Sequence, residues 1–160
     1  MKKLVLSMLC ALVSLSALGQ GTALLSNVAS AGSGGLVMLD TGVPAESDVM
    51  VQFALPDGTL LGTPSAVLAG GVFRDSTAKV LEGVAPGAVD LTVVGWVSGN
   101  PGLTGQSEVF SLSAGGGNPP LPAGGIPASF SGLTVPTIPE PSTVALAILG
   151  GAALFFRRRK

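Results

Sequence analysis

"AVDLTVVGWVSGNPG", residues 88–102, is the stretch on which the reading of the fold turns. Successive side chains of an extended strand point to opposite faces, so Val89, Leu91, Val93 and Val97 fall on one side and Asp90, Thr92, Val94, Trp96 and Ser98 on the other. The β-branched content suits a pleated, half-buried surface, and the Gly-Asn-Pro-Gly run ends it. The Val89 side is expected to face inward. Working outward, "VMVQFALPDGTLLG" (49–62) sets Val49, Val51, Phe53 and Leu55 against Met50, Gln52 and Ala54 and then reaches "PDG", a turn signal, which predicts a hairpin. "SEVFSL" (107–112) puts Phe110 and Leu112 on one face and Val109 and Ser111 on the other. The runs "TALLSNV", "GLVML", "AVLAGGVF" and "AKVLEGV" fill the intervals, each bounded by Gly, Pro or Ser. Seven or eight short strands at this spacing predict an all-β domain, a small antiparallel β-sandwich or open barrel.

The two ends differ from this middle. Lys2 and Lys3 precede an apolar run from Leu4 to Leu18 that closes on Ala17 and Gly19, the pattern of a secretory signal peptide over residues 1–19 with cleavage before Gln20. Cys10 is an apolar member of that run, so the mature chain has no thiol and no disulfide. At the other end an apolar run from Val144 to Phe156 is followed by Arg157, Arg158, Arg159 and Lys160. Its 13 residues reach about 20 Å as a helix, against a hydrocarbon core of about 30 Å. Adding Ser142 and Thr143 and letting Arg157 snorkel narrows the gap, and the expectation is a C-terminal single transmembrane helix with its basic cluster at the cytoplasmic face.

Charge and composition exclude several functions for the body, residues 20–138. Asp40, Glu46, Asp48, Asp57, Asp75, Glu82, Asp90 and Glu108 stand against Arg74 and Lys79, a net charge near −6 that the whole-chain value of −1 conceals. Such a surface does not neutralise phosphates, so no nucleic acid is expected as a partner. The chain has no His and no Tyr, and the mature body no Cys, which removes the usual general base, the thiolate nucleophile and the common zinc ligands. The carboxylates, spread singly through turn-like segments, read as solvated surface charges. The glycine-rich stretches match neither phosphate-binding pattern. No catalytic, metal or cofactor residue is assigned, and the chain is not expected to be an enzyme. Trp96 is the one candidate ligand contact, as a platform for a sugar ring, against the plainer role of cross-strand packing.

From Gly115 the composition turns rich in Gly and Pro, and residues 115–138 are expected as a spacer, with "ASFSGLTV" (128–135) a candidate edge strand and Phe130 packed on the body. The organisation is thus a signal peptide (1–19), a β-rich exported domain (20–114), this spacer, and a tail over 139–160.

That tail resembles the sorting tail of PEP-CTERM proteins, substrates of exosortase systems in Gram-negative bacteria. The matching residues are Pro139, Glu140, Pro141 and Ser142, the apolar run, and then Arg157 to Lys160 in that order at the terminus. The body segments "GTALLSN", "LPDGTLLG", "FRDS", "VLEGVAPGAVDLTVVGW" and "GQSEVFSLSAGG" are similar to bodies of small PEP-CTERM proteins of verrucomicrobial type, a group without a shared activity. The lack of Tyr departs from their commoner pattern. The resemblance implies signal peptidase and exosortase as partners and an inner-membrane-held intermediate before release to the cell surface or extracellular space. The function it favours is a non-enzymatic exported cell-surface or extracellular-matrix protein. The alternatives are an exopolysaccharide- or carbohydrate-binding module and a carboxylate-dependent glycoside hydrolase, the latter needing two acids about 5 to 9 Å apart across a cleft.

Overall fold

The computed structural model describes residues 19–117 and 119–137. Their strands are β1 (Gly21–Leu24), β2 (Val37–Leu39), β3 (Val49–Ala54), β4 (Leu60–Ala66), β5 (Lys79–Leu81), β6 (Gly87–Val97), β7 (Thr104–Gln106), β8 (Phe110–Ala114), β9 (Gly124–Gly125) and β10 (Leu133–Val135). The stretch that decides the fold becomes β6, the longest strand at 11 residues, and its two halves take different partners. Residues 92–97 pair antiparallel with β3 on one edge and, through Val94–Trp96, with β7 on the other. Residues 87–91 pair with β8.

Between the pairs Leu91↔Phe110 and Val94↔Gln106, β6 has two residues, Thr92 and Val93, where the opposing chain has three, Ser107, Glu108 and Val109. One extra residue is a β-bulge, and it changes which face each side chain meets. Thr104, Gln106, Phe110 and Leu112 all have even numbers, yet the first two are exposed and the last two are in the core. Ser107 holds the bulge: its N–H donates to the Val93 carbonyl at 2.9 Å, its hydroxyl oxygen accepts from the Val93 N–H at 2.9 Å, and the same hydroxyl donates to the Glu108 carbonyl.

β3 and β4 form the expected hairpin through residues 55–59, closed by hydrogen bonds from Leu55 N–H to Thr59 and from Gly58 N–H to Leu55. Its register slips between Val51↔Ser65 and Phe53↔Leu61, where Gly62, Thr63 and Pro64 oppose Gln52. The Gln52 amide fills that irregularity by donating to the Gly62 carbonyl at 2.7 Å. From β8 the chain of pairings continues through the bridge Thr22↔Gly115 to β1, and from β1 to β5. β5 then lies beside β4, where Glu82 accepts from the Gly62 N–H at 2.8 Å and Lys79 donates to Thr63. The course is that of an open barrel whose backbone pairing is interrupted between β5 and β4.

Inside lie Leu25, Val51, Phe53, Phe73, Leu91 and Val93, all fully buried. The Phe130 ring meets Phe73 and Phe110 edge-on at 6.4 and 5.6 Å between centroids, an arrangement aromatic quadrupoles favour. At the loop end, buried Asn27 donates to the Gly35 and Gly71 carbonyls at 2.7 and 3.1 Å and accepts from the Phe73 N–H at 2.7 Å. One side chain thereby joins three separate segments.

The segment expected as a spacer supplies buried Ile126, Phe130, Leu133 and Val135. β10 lies across the inner face of β6 and β7. A Cβ on Gly95 would meet Leu133 Cδ1 and Val135 Cγ2 at 3.0 Å, and one on Gly105 would strike the Thr134 carbonyl. Gly95 is thus the gap in the inward Val93–Val97 alternation that admits β10.

Two parts of the expected architecture are corrected. The all-β body is present, but it is not purely antiparallel: the returning C-terminal segment runs alongside earlier strands, so β9 is parallel to β1 and β10 parallel to β2. The expected single transmembrane helix is withdrawn, and with it the inner-membrane-held intermediate. Among the described residues no helix is long and apolar enough to cross a membrane, and the helical element present is a three-residue 3₁₀ turn, Ala31–Ser33. The run 144–156 lies outside the described residues.

Ser107→Ala should leave the buried Val93 N–H without its side-chain acceptor and cost about 1–3 kcal/mol in urea unfolding. Asn27→Ala strips partners from two carbonyls and one N–H and should cost on the order of 3 kcal/mol or more in the same assay. Asp75 gives a pH signature. The Lys79 ammonium at 2.6 Å, the Thr77 N–H and the Ser65 hydroxyl hold its carboxyl down from 3.8 to about 2. A depressed folded-state pKa contributes stability above 3.8 that is lost as pH falls towards 2. Acid titration of Asp75→Asn should therefore show a shallower loss of stability across that window than the parent protein.

Candidate functional site

The face of the sheet turned away from the core carries the residues that alternate with the buried ones. Register places Met50 beside Trp96, Gln52 beside Val94, Val94 beside Gln106 and Trp96 beside Thr104. Gln52, Val94, Trp96, Thr104 and Gln106, with Leu60 from β4 and the turn residues Gly58 and Pro101, line a hollow of about 290 Å³. Trp96 is half-buried there. The two amides are tied down behind it. Gln52 bonds the Gly62 carbonyl, and the Gln106 amide nitrogen donates at 3.0 Å to the Thr92 hydroxyl, which itself donates to the Ala54 carbonyl at 3.3 Å. No charged side chain lines this hollow.

Two further hollows lie on either side of Glu108. One, of about 300 Å³, is bordered by residues 108–111 and by Pro127 and Ser129–Ser131; the other, of about 290 Å³, by 106–108 and 131–134. Each contains one carboxylate, so none of the three hollows sets two acids across a cleft. Seven of the eight body carboxylates are exposed, and the eighth, Asp75, is half-buried in its pair with Lys79. Among the described residues no group of three or more His, Cys, Asp or Glu side chains is placed to hold a metal ion.

Of the residues singled out from the sequence, Trp96 is in the first hollow. Pro139, Glu140, Pro141, Arg157, Arg158, Arg159 and Lys160 lie outside the described residues, as does the signal segment up to residue 18. Sequence reading passed over the polar companions of Trp96. Gln52 was visible as an outward position in an apolar strand, but nothing local marks Thr104 and Gln106 as its neighbours.

It also passed over a contact between distant parts of the chain. Asp40, directly after β2, accepts from the Thr137 hydroxyl at 2.6 Å and from the Thr137 N–H at 3.1 Å, and its own N–H donates to the Val135 carbonyl. The Thr137 hydroxyl first, and then its N–H, hold the Asp40 carboxyl below the usual aspartate range, so the acceptor is ionised at neutral pH. A carboxylate thus grips a residue 97 positions later in the chain. No curated protein and no solved structure matches this chain. A protein-family model, the PEP-CTERM protein-sorting motif, matches residues 137–160. Thr137, which Asp40 ties to the body, is therefore also the first residue of a PEP-CTERM sorting motif, the mark of an exosortase substrate.

Proposed function

We propose that the chain is a non-enzymatic protein of the cell surface or extracellular matrix, cut by an exosortase at its C-terminal motif after export by way of its N-terminal signal segment. The observation that carries this is the PEP-CTERM sorting motif matched over residues 137–160, whose first residue, Thr137, is tied to the body by Asp40. Pro139 to Pro141 follow by two residues. Proline at both positions disfavours helix immediately before the apolar run of the motif. The acidic, thiol-free body fits life outside the cytoplasm, where net charge favours solubility.

The test is the mass of the intact chain in a host with the matching exosortase and in one without it. A shorter C-terminus in the first host alone is expected, and replacing Pro139, Glu140 and Pro141 by alanine should slow its appearance. The same C-terminal mass in both hosts would overturn the exosortase assignment. The N-terminal mass read in the same experiment should correspond to a chain starting at Gln20.

A further inference from the structure

We propose that the hollow around Trp96 is a binding site for an uncharged saccharide, seating one pyranose ring of a neutral hexose chain. The inference stands apart from the sorting motif and rests on the chemistry of the outer face of β3, β6 and β7. A pyranose has an apolar face of C–H groups and a rim of hydroxyls that both donate and accept. A site for it needs an apolar floor and a few fixed amides or hydroxyls at the edge. Trp96 and Val94, with Leu60 and Pro101, provide the apolar contacts, and Gln52, Thr104 and Gln106 provide the edge.

Three features favour this occupant. First, the amides are positioned before any ligand arrives. Each is anchored through its nitrogen, Gln52 to the Gly62 carbonyl and Gln106 to the Thr92 hydroxyl, which leaves its oxygen and one N–H for a ligand. Groups already immobilised lose little side-chain entropy on binding. Second, the lining is uncharged while the body around it carries eight acids and two cations. Anionic chains such as polyuronates are repelled by that field, and phosphates and carboxylates find no cation in the hollow. Third, large apolar side chains remain in contact with water at this place. Leu60 is 50% exposed on one border, and Trp96 itself is only half-buried. A volume of about 290 Å³ is at the small end of ligand pockets, suited to a single ring rather than an extended peptide.

Trp96 is the sole tryptophan and the chain has no tyrosine, so its emission reports this hollow alone. Full-length protein would be titrated with neutral hexasaccharides of glucose, mannose and galactose, and with a galacturonate hexamer as the charged control. The expected result is a saturable shift to shorter wavelength with at least one neutral hexamer and none with the uronate. By calorimetry, Leu60→Asp, a change at a half-exposed position, should weaken binding of that hexamer at least tenfold. Thr104→Val should weaken it about three- to tenfold, the effect of one lost hydrogen bond. Trp96→Ala should abolish it with far-UV circular dichroism unchanged; if that variant fails to fold, Leu60→Asp decides. The assignment is overturned if no neutral hexamer gives a saturable response, if the uronate binds as well as the neutral chains, or if folded Trp96→Ala or Leu60→Asp binds like the parent.

Discussion

The extra residue at Ser107–Val109 is the constraint on which the rest of the structure depends. In a strand with strict alternation, the segment from Thr104 to Leu112 would present one set of side chains to one face throughout. The bulge divides it. Before the bulge, Thr104 and Gln106 stand outside with Trp96; after it, Phe110, Leu112 and Ala114 enter the core. The cost of leaving the β6 backbone unpaired at this point is met by the Ser107 side chain, which supplies the acceptor that the interrupted ladder lacks. A small hydroxyl residue thus lets a single pair of strands build both the hydrophobic interior and a polar-edged outer surface.

Closure of the interior uses the last part of the body. β10 can approach β6 and β7 because Gly95 and Gly105 carry no side chain there, and it brings Leu133 and Val135 over the inner face of the same strands whose outer face bears Trp96 and Thr104. Phe130 wedges between Phe73 and Phe110. At the loop end, Asn27 satisfies groups from two other segments, a case where one buried polar side chain, fully partnered, specifies how irregular chain is arranged. Asp40 completes the closure by holding Thr137. Segments early and late in the chain are thereby interdependent, and truncating the Gly/Pro-rich region would remove core residues.

The functional consequence is a separation of tasks. Processing information resides in the linear motif from Thr137 onward, while the strands before it form an open β barrel with its own outer surface.

By itself the sequence determined what depends on neighbouring residues. The alternation around Val93 assigned the two faces of β6 and β3 correctly, because a period of two is imposed by the backbone within one strand. It also grouped Phe110 with Leu112 on one face and showed the turn after Leu55, the acidity of the body and the terminal motif, all of which are local patterns or sums over composition. Tertiary structure alone decided the parity change at Ser107, the parallel pairing of β9 and β10 with β1 and β2, and the joining of Asp40 to Thr137. Strands of two or three residues carry too little periodicity to be recognised, and Gly95 and Gly105 read as breaks until the chain they accommodate is in place. The site around Trp96 belongs to this second class, since Gln52, Trp96 and Gln106 become neighbours through strand register, which is set by packing between distant segments rather than by any one of them.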